Sequence, residues 1–389
     1  MLDVESGRII ANPVIVVVGE KIVAVNPAQT PAGAQTVDLG DVTLLPGLMD
    51  MHTHLTYDLD KDFFLIAVKE TAADSALRGA ANARKALFTG FTTVRNVGSR
   101  GFADVALMRA IEAGRIDGPH IFPAGHSLGI TGGHCDATGF VPGVSEAGPN
   151  EGIADGVDQV LRAVRYQIKH GAKVIKTCAT AGVLSAEGPV GAQQYSAEEL
   201  KAMVEEAARH GVKVAAHAHG AEGILAAVLA GVASIEHGST LTDESIRAMI
   251  QKGTYIVPTS HLLVALDTKT LPPVNRAKAE FIFPLAKESH RKAIRAGVKY
   301  AFGTDVPVIP HGTAAGEFAT LVSLGMTPLA AIRTATVNSA DLLGVTDRGT
   351  LAAGKLADII AVPGNPLENI RAMEDVRFVM KSGKIYKRP

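Results

Sequence analysis

The stretch LLPGLMDMHTHLTYD, from Leu44 to Asp58, ends an apolar run in two histidines one residue apart, His52 and His54. Residues i and i+2 of a strand share a face, so the two imidazoles converge on one point. Converging imidazoles suit a divalent cation, for which histidine is the commonest ligand. The same signal recurs downstream. His217 and His219 close the run in AAHAHG, His237 closes the one in IEHGS, and Asp305 closes the one in FGTD. Lys176 sits inside the apolar KVIKTC, where a lysine is costly unless its amine is used or reaches solvent. Each residue alone has a bland reading as a strand-end polar group, a satisfied buried histidine, a helix cap or a snorkelling lysine. Ligand-type groups at so many strand ends together point to one site.

Those residues need strands that deliver them to a common face. Short β-rich runs lie at 43–54, 92–97, 120–125, 173–178, 213–218, 233–238, 255–260 and 299–305, with amphipathic stretches between most of them. SAEELKAMVEEAARHG is one such helix, with Ser196 and Glu199 as a capping box and Gly211 as its stop. Eight such units predict an α/β protein, a (β/α)8 TIM barrel over residues 43–349, whose C-terminal strand ends open onto one active face. A doubly wound open sheet is the runner-up, and no GxGxxG turn supports it. Hairpin signals at GEK near the start and SGK near the end predict a small β-sandwich built from residues 1–42 and 350–389.

Composition excludes several classes. With 47% hydrophobic and 20% charged residues over 389 positions, the chain can bury a large core. A net charge of −1 favours neither nucleic acid nor an anionic membrane as partner, and no 18-residue apolar run spans a bilayer. MLDVESGRII lacks the basic-then-apolar order of a secretory leader. The expected compartment is therefore cytoplasmic by default, and periplasmic or secreted if an upstream segment has been removed. Cys135 and Cys178 form no CxxC pattern and suggest no disulfide framework, so Cys178 is expected simply to pack.

PGLMDMHTHL, GAKVIKTCATAGV, VKVAAHAHG, ASIEHGS, FGTD and GTLAAGKLADIIAVPGNPLENI, in this order, resemble the metal-dependent amidohydrolase superfamily. Within it the chain is similar to the prolidase-like branch of Xaa-Pro dipeptidases and ochratoxinases. The resemblance covers essentially the whole chain. It implies two zinc-like ions bridged by a hydroxide and by a lysine carboxylated with CO2. His52, His54 and Asp305 would hold the more buried ion and His217 and His237 the more exposed one, with Lys176 bridging both. Lys173 and Lys176, three apart on a strand, face opposite ways, and the motif position selects Lys176. Asp305 would also move the catalytic proton. The implied substrates are N-acyl amino acids or dipeptides ending in an apolar residue or proline, ochratoxin A among them. The implied assembly is a homo-oligomer.

Substrate contacts are expected from His126 and His134 in the glycine-rich GHSLGITGGHCDATG, from Tyr195 in QQYS, from His219, and from His311 in VPVIPHG. In similar proteins a tyrosine at the Tyr195 position, with a loop histidine, contacts the substrate carboxylate. The apolar segment 257–284 reads as a lid loop, with Leu262, Leu263 and Leu266 forming a pocket. His120, His170, His210, His261 and His290 are assigned to structure or surface. Two rivals stand beside this reading. An imidazolonepropionase-like cyclic-amide hydrolase shares the histidine set, but Lys176 argues against it. A metal-stabilised scaffold without turnover would usually lack a ligand or the acid/base group.

Overall fold

The computed structural model describes residues 1–59, 63–185 and 188–389. It opens with an antiparallel hairpin, β1 (Ile15–Val18) and β2 (Lys21–Val25). The strand expected at 43–54 is instead two strands, β3 (Val42–Pro46) and β4 (Leu48–Thr53). They divide at Gly47, where a Cβ would lie 2.1 Å from Thr92 Oγ1, so only glycine admits this approach. The strands β5 (Phe91–Asn96), β6 (His120–Pro123), β7 (Val174–Cys178), β8 (Lys213–Ala218), β9 (Ser234–His237) and β10 (Tyr255–Val257) follow. The chain closes with β11 (Ile359–Pro363), β12 (Phe378–Lys381) and β13 (Lys384–Lys387).

β4-β5-β6 and β7-β8-β9-β10 pair in parallel, with helices in the connections. Backbone hydrogen bonds join the two runs. Lys173 N donates to Pro123 O at 2.7 Å, and Leu128 N donates to Lys176 O at 2.7 Å. On the other flank, residues 299–306 form no continuous ladder yet bond to both neighbours. Ala301 N reaches Ile256 O at 2.9 Å, Met51 N reaches Phe302 O at 2.8 Å, and Asp305 N reaches His52 O at 2.8 Å. β4, β5 and β7 are buried along their whole lengths, as strands covered on both faces must be.

Local sequence rules account for the helices. Ala197–Arg209 starts at the Ser196 capping box, in which Ser196 N donates to Glu199 Oε2 at 2.8 Å and Glu199 N to Ser196 Oγ at 3.2 Å. The segment expected as a lid loop is largely helical, with short helix Leu262–Ala265 and the first half of helix Pro273–Ala296. Pro273 opens that helix at a position where its missing N–H costs nothing.

β3 does not join the parallel strands. It pairs with β11 in an antiparallel sheet of order β13-β12-β11-β3. Ile15, Val17, Ile22 and Val25 of the hairpin share an apolar cluster with Ile359, Ala361 and Phe378 of that sheet. Among the described residues no helix is long and apolar enough to cross a membrane.

Candidate metal centre and its cavity

The parallel strands carry His52 next to the last residue of β4 and Lys176 at the middle of β7, while His54 follows β4 directly. His52 Nε2 lies 3.3 Å from Asp305 Oδ1, and His54 Nε2 lies 3.5 Å from the same oxygen. Lys176 Nζ is buried 3.5 Å from His52 Nε2. Lys173, the alternative lysine, is exposed. His217 and His219 come from the end of β8 and its exit, and His237 ends β9. Their ring centroids are 4.7–4.9 Å apart. His52 is 5.0 Å from His237 by the same measure. The ligand atoms of His52, His54 and Asp305, and those of His217, His219 and His237, each fall within 4.8 Å of one another.

The imidazoles are held for this purpose. His52 Nδ1 donates to Glu236 Oε2 at 2.7 Å; His219 Nδ1 pairs with Ser239 Oγ at 2.7 Å and His237 Nδ1 with Thr259 Oγ1 at 2.8 Å. Each ring therefore has Nε2 left to turn toward its neighbours. Burial holds His54 down at about 3 and His219 at about 4, and pushes His217 and His237 well below the usual imidazole range. Neutral rings with a lone pair are the ligand form. His217 Nε2 is buried without a hydrogen-bond partner, a cost of about 1–3 kcal/mol that a cation would remove. The donor set thus fits divalent ions. Burial also pulls the Lys176 amine down to about 8, against the attraction of Glu236 and Asp305.

Backbone strain gathers here. His237, Thr259 and Asp305 all adopt positive φ, at 70°, 50° and 60°, which non-glycine residues accept only where the surroundings compel it. Asp305 is partly buried, which pushes its carboxyl up, yet its attraction to His52 and the hydrogen bond to it bring it below the ordinary value.

Sequence reasoning missed the support behind these groups. Glu236 is fully buried and also accepts from Arg95 Nη2 at 2.8 Å, while Arg95 Nε donates to Met51 O at 2.6 Å. Burial pushes Glu236 up, but Arg95 and the His52 hydrogen bond hold it down at about 2. Asp50 accepts from His52 N at 3.0 Å and from Thr304 Oγ1 at 2.5 Å. A glutamate beside His237 in an apolar strand, and an arginine inside TTVRNV, were the available signals.

The cluster forms the floor of a cavity of about 770 Å³. His134 lines it, its ring 4.2 Å from that of His217 and its Nδ1 2.8 Å from Ser185 Oγ. Leu262, Leu263 and Leu266 line it as expected. His126 also lines it, but both ring nitrogens are engaged, Nε2 accepting from Gly101 N at 3.0 Å and Nδ1 pairing with Gln167 Oε1 at 3.2 Å. His290, assigned to structure, belongs to the lining too; its Nδ1 meets the Tyr300 hydroxyl at 3.2 Å and its Nε2 is buried and unpartnered.

Three expectations are corrected. Tyr195 does not reach the cavity. It is fully buried, donates to Ala154 O at 3.2 Å, and shares the core with Leu200. It is the residue before the Ser196 cap, and Leu200 of the same core cluster is the fourth residue of the helix, the two positions between which a hydrophobic staple forms. His311 lies outside as well, its Nε2 3.0 Å from Tyr57 O in a small separate cleft. Cys135 and Cys178 are disulfide-bonded, with Cα atoms 6.0 Å apart. The loop after β6 folds back over the end of β7, an approach that spacing along the chain does not reveal.

Comparison with known proteins agrees with this geometry. Residues 43–386 match the model of the amidohydrolase family. The chain belongs to the amidohydrolase family. It is similar to an ochratoxinase from Aspergillus niger, 39% identical over 372 residues that cover 89% of this chain and 76% of the relative. A crystal structure of a Xaa-Pro dipeptidase with methionine bound in its active site superimposes with a TM-score of 0.93 at 39% identity, covering 99% of this chain and 97% of the other. An imidazolonepropionase from Deinococcus deserti is more distant, 25% identical over 86% of this chain and 81% of the relative. The chain therefore has the α/β fold of this hydrolase family, with parallel strands and an added antiparallel sheet.

Proposed function

We propose that this chain is a binuclear metal-dependent amidase that releases a C-terminal amino acid from N-acyl amino acids or dipeptides. The observation that carries the reading is the meeting of His52, Asp305 and Lys176 beside four further imidazoles, of His54, His217, His219 and His237, under a cavity lined in part by apolar side chains. His52, His54 and Asp305 would hold one ion and His217 and His237 the other, with Lys176 between them as a CO2-derived carbamate. As a carbamate, Lys176 is an oxygen-donor anion instead of a cation beside two cations. Zinc suits the nitrogen and carboxylate donors.

Two such ions, when bound, supply an activated water and a polarised amide carbonyl. Asp305 then takes the water's proton and hands it to the departing nitrogen. His134 and His219 orient the substrate from the cavity wall. Leu262, Leu263 and Leu266 take an apolar group of the substrate, and ochratoxin A, as well as smaller dipeptides, is a candidate for a cavity of this volume. The hydrogen-bonded circuit of parallel strands supports a closed (β/α)8 barrel that starts at β4, with Leu48, and not at residue 43, because β3 pairs with β11 in the antiparallel sheet; that sheet and the N-terminal hairpin would form the small β-sandwich beside it. The ochratoxinase and dipeptidase relatives support the substrate class.

The test is a screen of dipeptides and N-acyl amino acids, ochratoxin A included, with metal content measured on the same sample. Amino-acid release by the metal-loaded protein is expected. Metal-loaded protein that cleaves no member of the panel, or that cleaves imidazolonepropionate instead, overturns the reading.

A further inference from the structure

The Cys135–Cys178 disulfide joins the mouth of the cavity to its floor. Cys178 ends β7, on the same strand face as Lys176 two residues earlier, and in the parallel register it lies opposite His217 of β8. Cys135 follows His134, whose ring is 4.2 Å from that of His217. The bond and the His134–His217 contact therefore hold the loop over the same part of the floor. Gly129 makes room for this approach, since a Cβ there would come within 2.7 Å of Cys135 Cβ.

The bond restrains a loop whose turns are set from within. Gly132 N and Ala137 N donate to the Asp136 carboxylate, Gly143 N donates to Glu146, and Val144 N donates to Val141 O. None of these four bonds fastens the loop to a strand. The bonds of His134 to Gln194 and Ser185 reach the segment after β7. β7 itself does not depend on the sulfurs. It keeps its ladder to β8, and Leu128 N donates to Lys176 O at 2.7 Å while Cys178 N donates to Leu128 O at 2.9 Å. Opening the disulfide thus frees the mouth and leaves the floor in place. Access is uneven as well. Cys178 is 3% exposed and Cys135 is half-buried, and both line the cavity of about 770 Å³, so a small thiol reaches the bond at Cys135.

We infer that Cys135–Cys178 is a reversible thiol-exchange site, at which low-molecular-weight thiols release the mouth loop and weaken substrate binding. A thiolate attacks Cys135 Sγ, the Sγ–Sγ bond breaks, and Cys178 leaves as a thiolate that takes up a proton. A second thiolate attacks the outer sulfur of the mixed disulfide and releases Cys135, which is protonated in turn. Two small thiols become one small disulfide, and the two electrons they give up reduce the protein disulfide to two thiols. The small disulfide runs the sequence backwards. Weaker substrate binding rests on the amidase reading above; release of the loop does not.

The test places the metal-loaded protein in mixtures of 2-mercaptoethanol and its disulfide, from fully oxidised to fully reduced. Free thiols, metal content and amide hydrolysis are measured at each ratio, and hydrogen–deuterium exchange over residues 132–147 reads the loop. Reduction is expected to expose both thiols in the folded protein with metal retained. Exchange in the loop should quicken about tenfold or more. KM should rise about fivefold or more with kcat changed less than about twofold, and reoxidation should restore both. Cys135→Ser should show the raised KM at every ratio. Thiols that appear only on unfolding, a loop that exchanges alike in both states, or the same thiol response in Cys135→Ser overturns the inference. Should Cys135→Ser fail to fold, Cys135→Ala takes its place with the same force. If the loop opens and closes with the mixture yet no amide is cleaved in either state, the amidase reading fails and the exchange site stands. If amides are cleaved with a KM that ignores reduction, the amidase reading stands and the inference falls.

Discussion

The floor of the cavity and its mouth are built by different rules. On the floor, His52, Lys176, His217 and His237 lie on or at the ends of buried parallel strands, and the pleat fixes where each side chain points. At the mouth, His126, His134 and Cys135 ride on a loop anchored by Asp155, Gln167 and Gln194 side chains and by one disulfide. A floor residue has its place set by strand register, whereas a mouth residue has its place set by contacts from distant segments. Changes on the floor should therefore strike chemistry and metal retention. Changes at the mouth should strike stability and substrate affinity.

The largest expected effect is Asp305→Asn, which removes the proton carrier yet keeps the side chain's shape. Its kcat should fall by about 10²–10⁴-fold with the circular dichroism spectrum retained; near-normal turnover would show that the floor does not work as described. Glu236→Gln comes next. It weakens the hold on His52 and strips Arg95 of its buried partner, so metal affinity should drop about 10–100-fold. Chelator competition reads the change, and an unaltered affinity would detach Glu236 from the centre.

Cys135→Ser tests the mouth. Opening a link between residues 43 apart should cost about 4 kcal/mol by chain entropy, visible as a lower denaturation midpoint. Metal content should hold while KM rises, since His134 adjoins the released position. Loss of metal without a rise in KM would erase the division between floor and mouth. The smallest effect is Tyr195→Phe, which forfeits one hydrogen bond to Ala154 O and about 0.5–1.5 kcal/mol. Its KM should match wild type, and a large KM increase would return Tyr195 to the cavity.

The same division explains how much could be read from the sequence. The ends of the strands were legible because alternation and chain order alone bring His52, His217, His237 and Asp305 toward one face. The Ser196 capping box was legible because all its bonds are local. Tyr195 belongs to the core and not to the cavity because its position next to that cap is buried and bonded to Ala154 O, a role that residue type does not announce. The break at Gly47 was hidden because one apolar run serves two sheets, and only the approach of Thr92 divides it. Glu236 and Arg95 escaped notice because their partners come from strands far off in the chain. The disulfide and the position of His311 depend on how loops fold back, which no period in the sequence encodes.

Metal stoichiometry on protein purified without chelator tests the central claim most directly. Two divalent ions per chain are expected in the wild type, with fewer in His217→Ala and with amide hydrolysis lost as ions are stripped and regained on zinc addition. A chain that holds no ion, or that hydrolyses its substrate equally well after complete stripping, would contradict it.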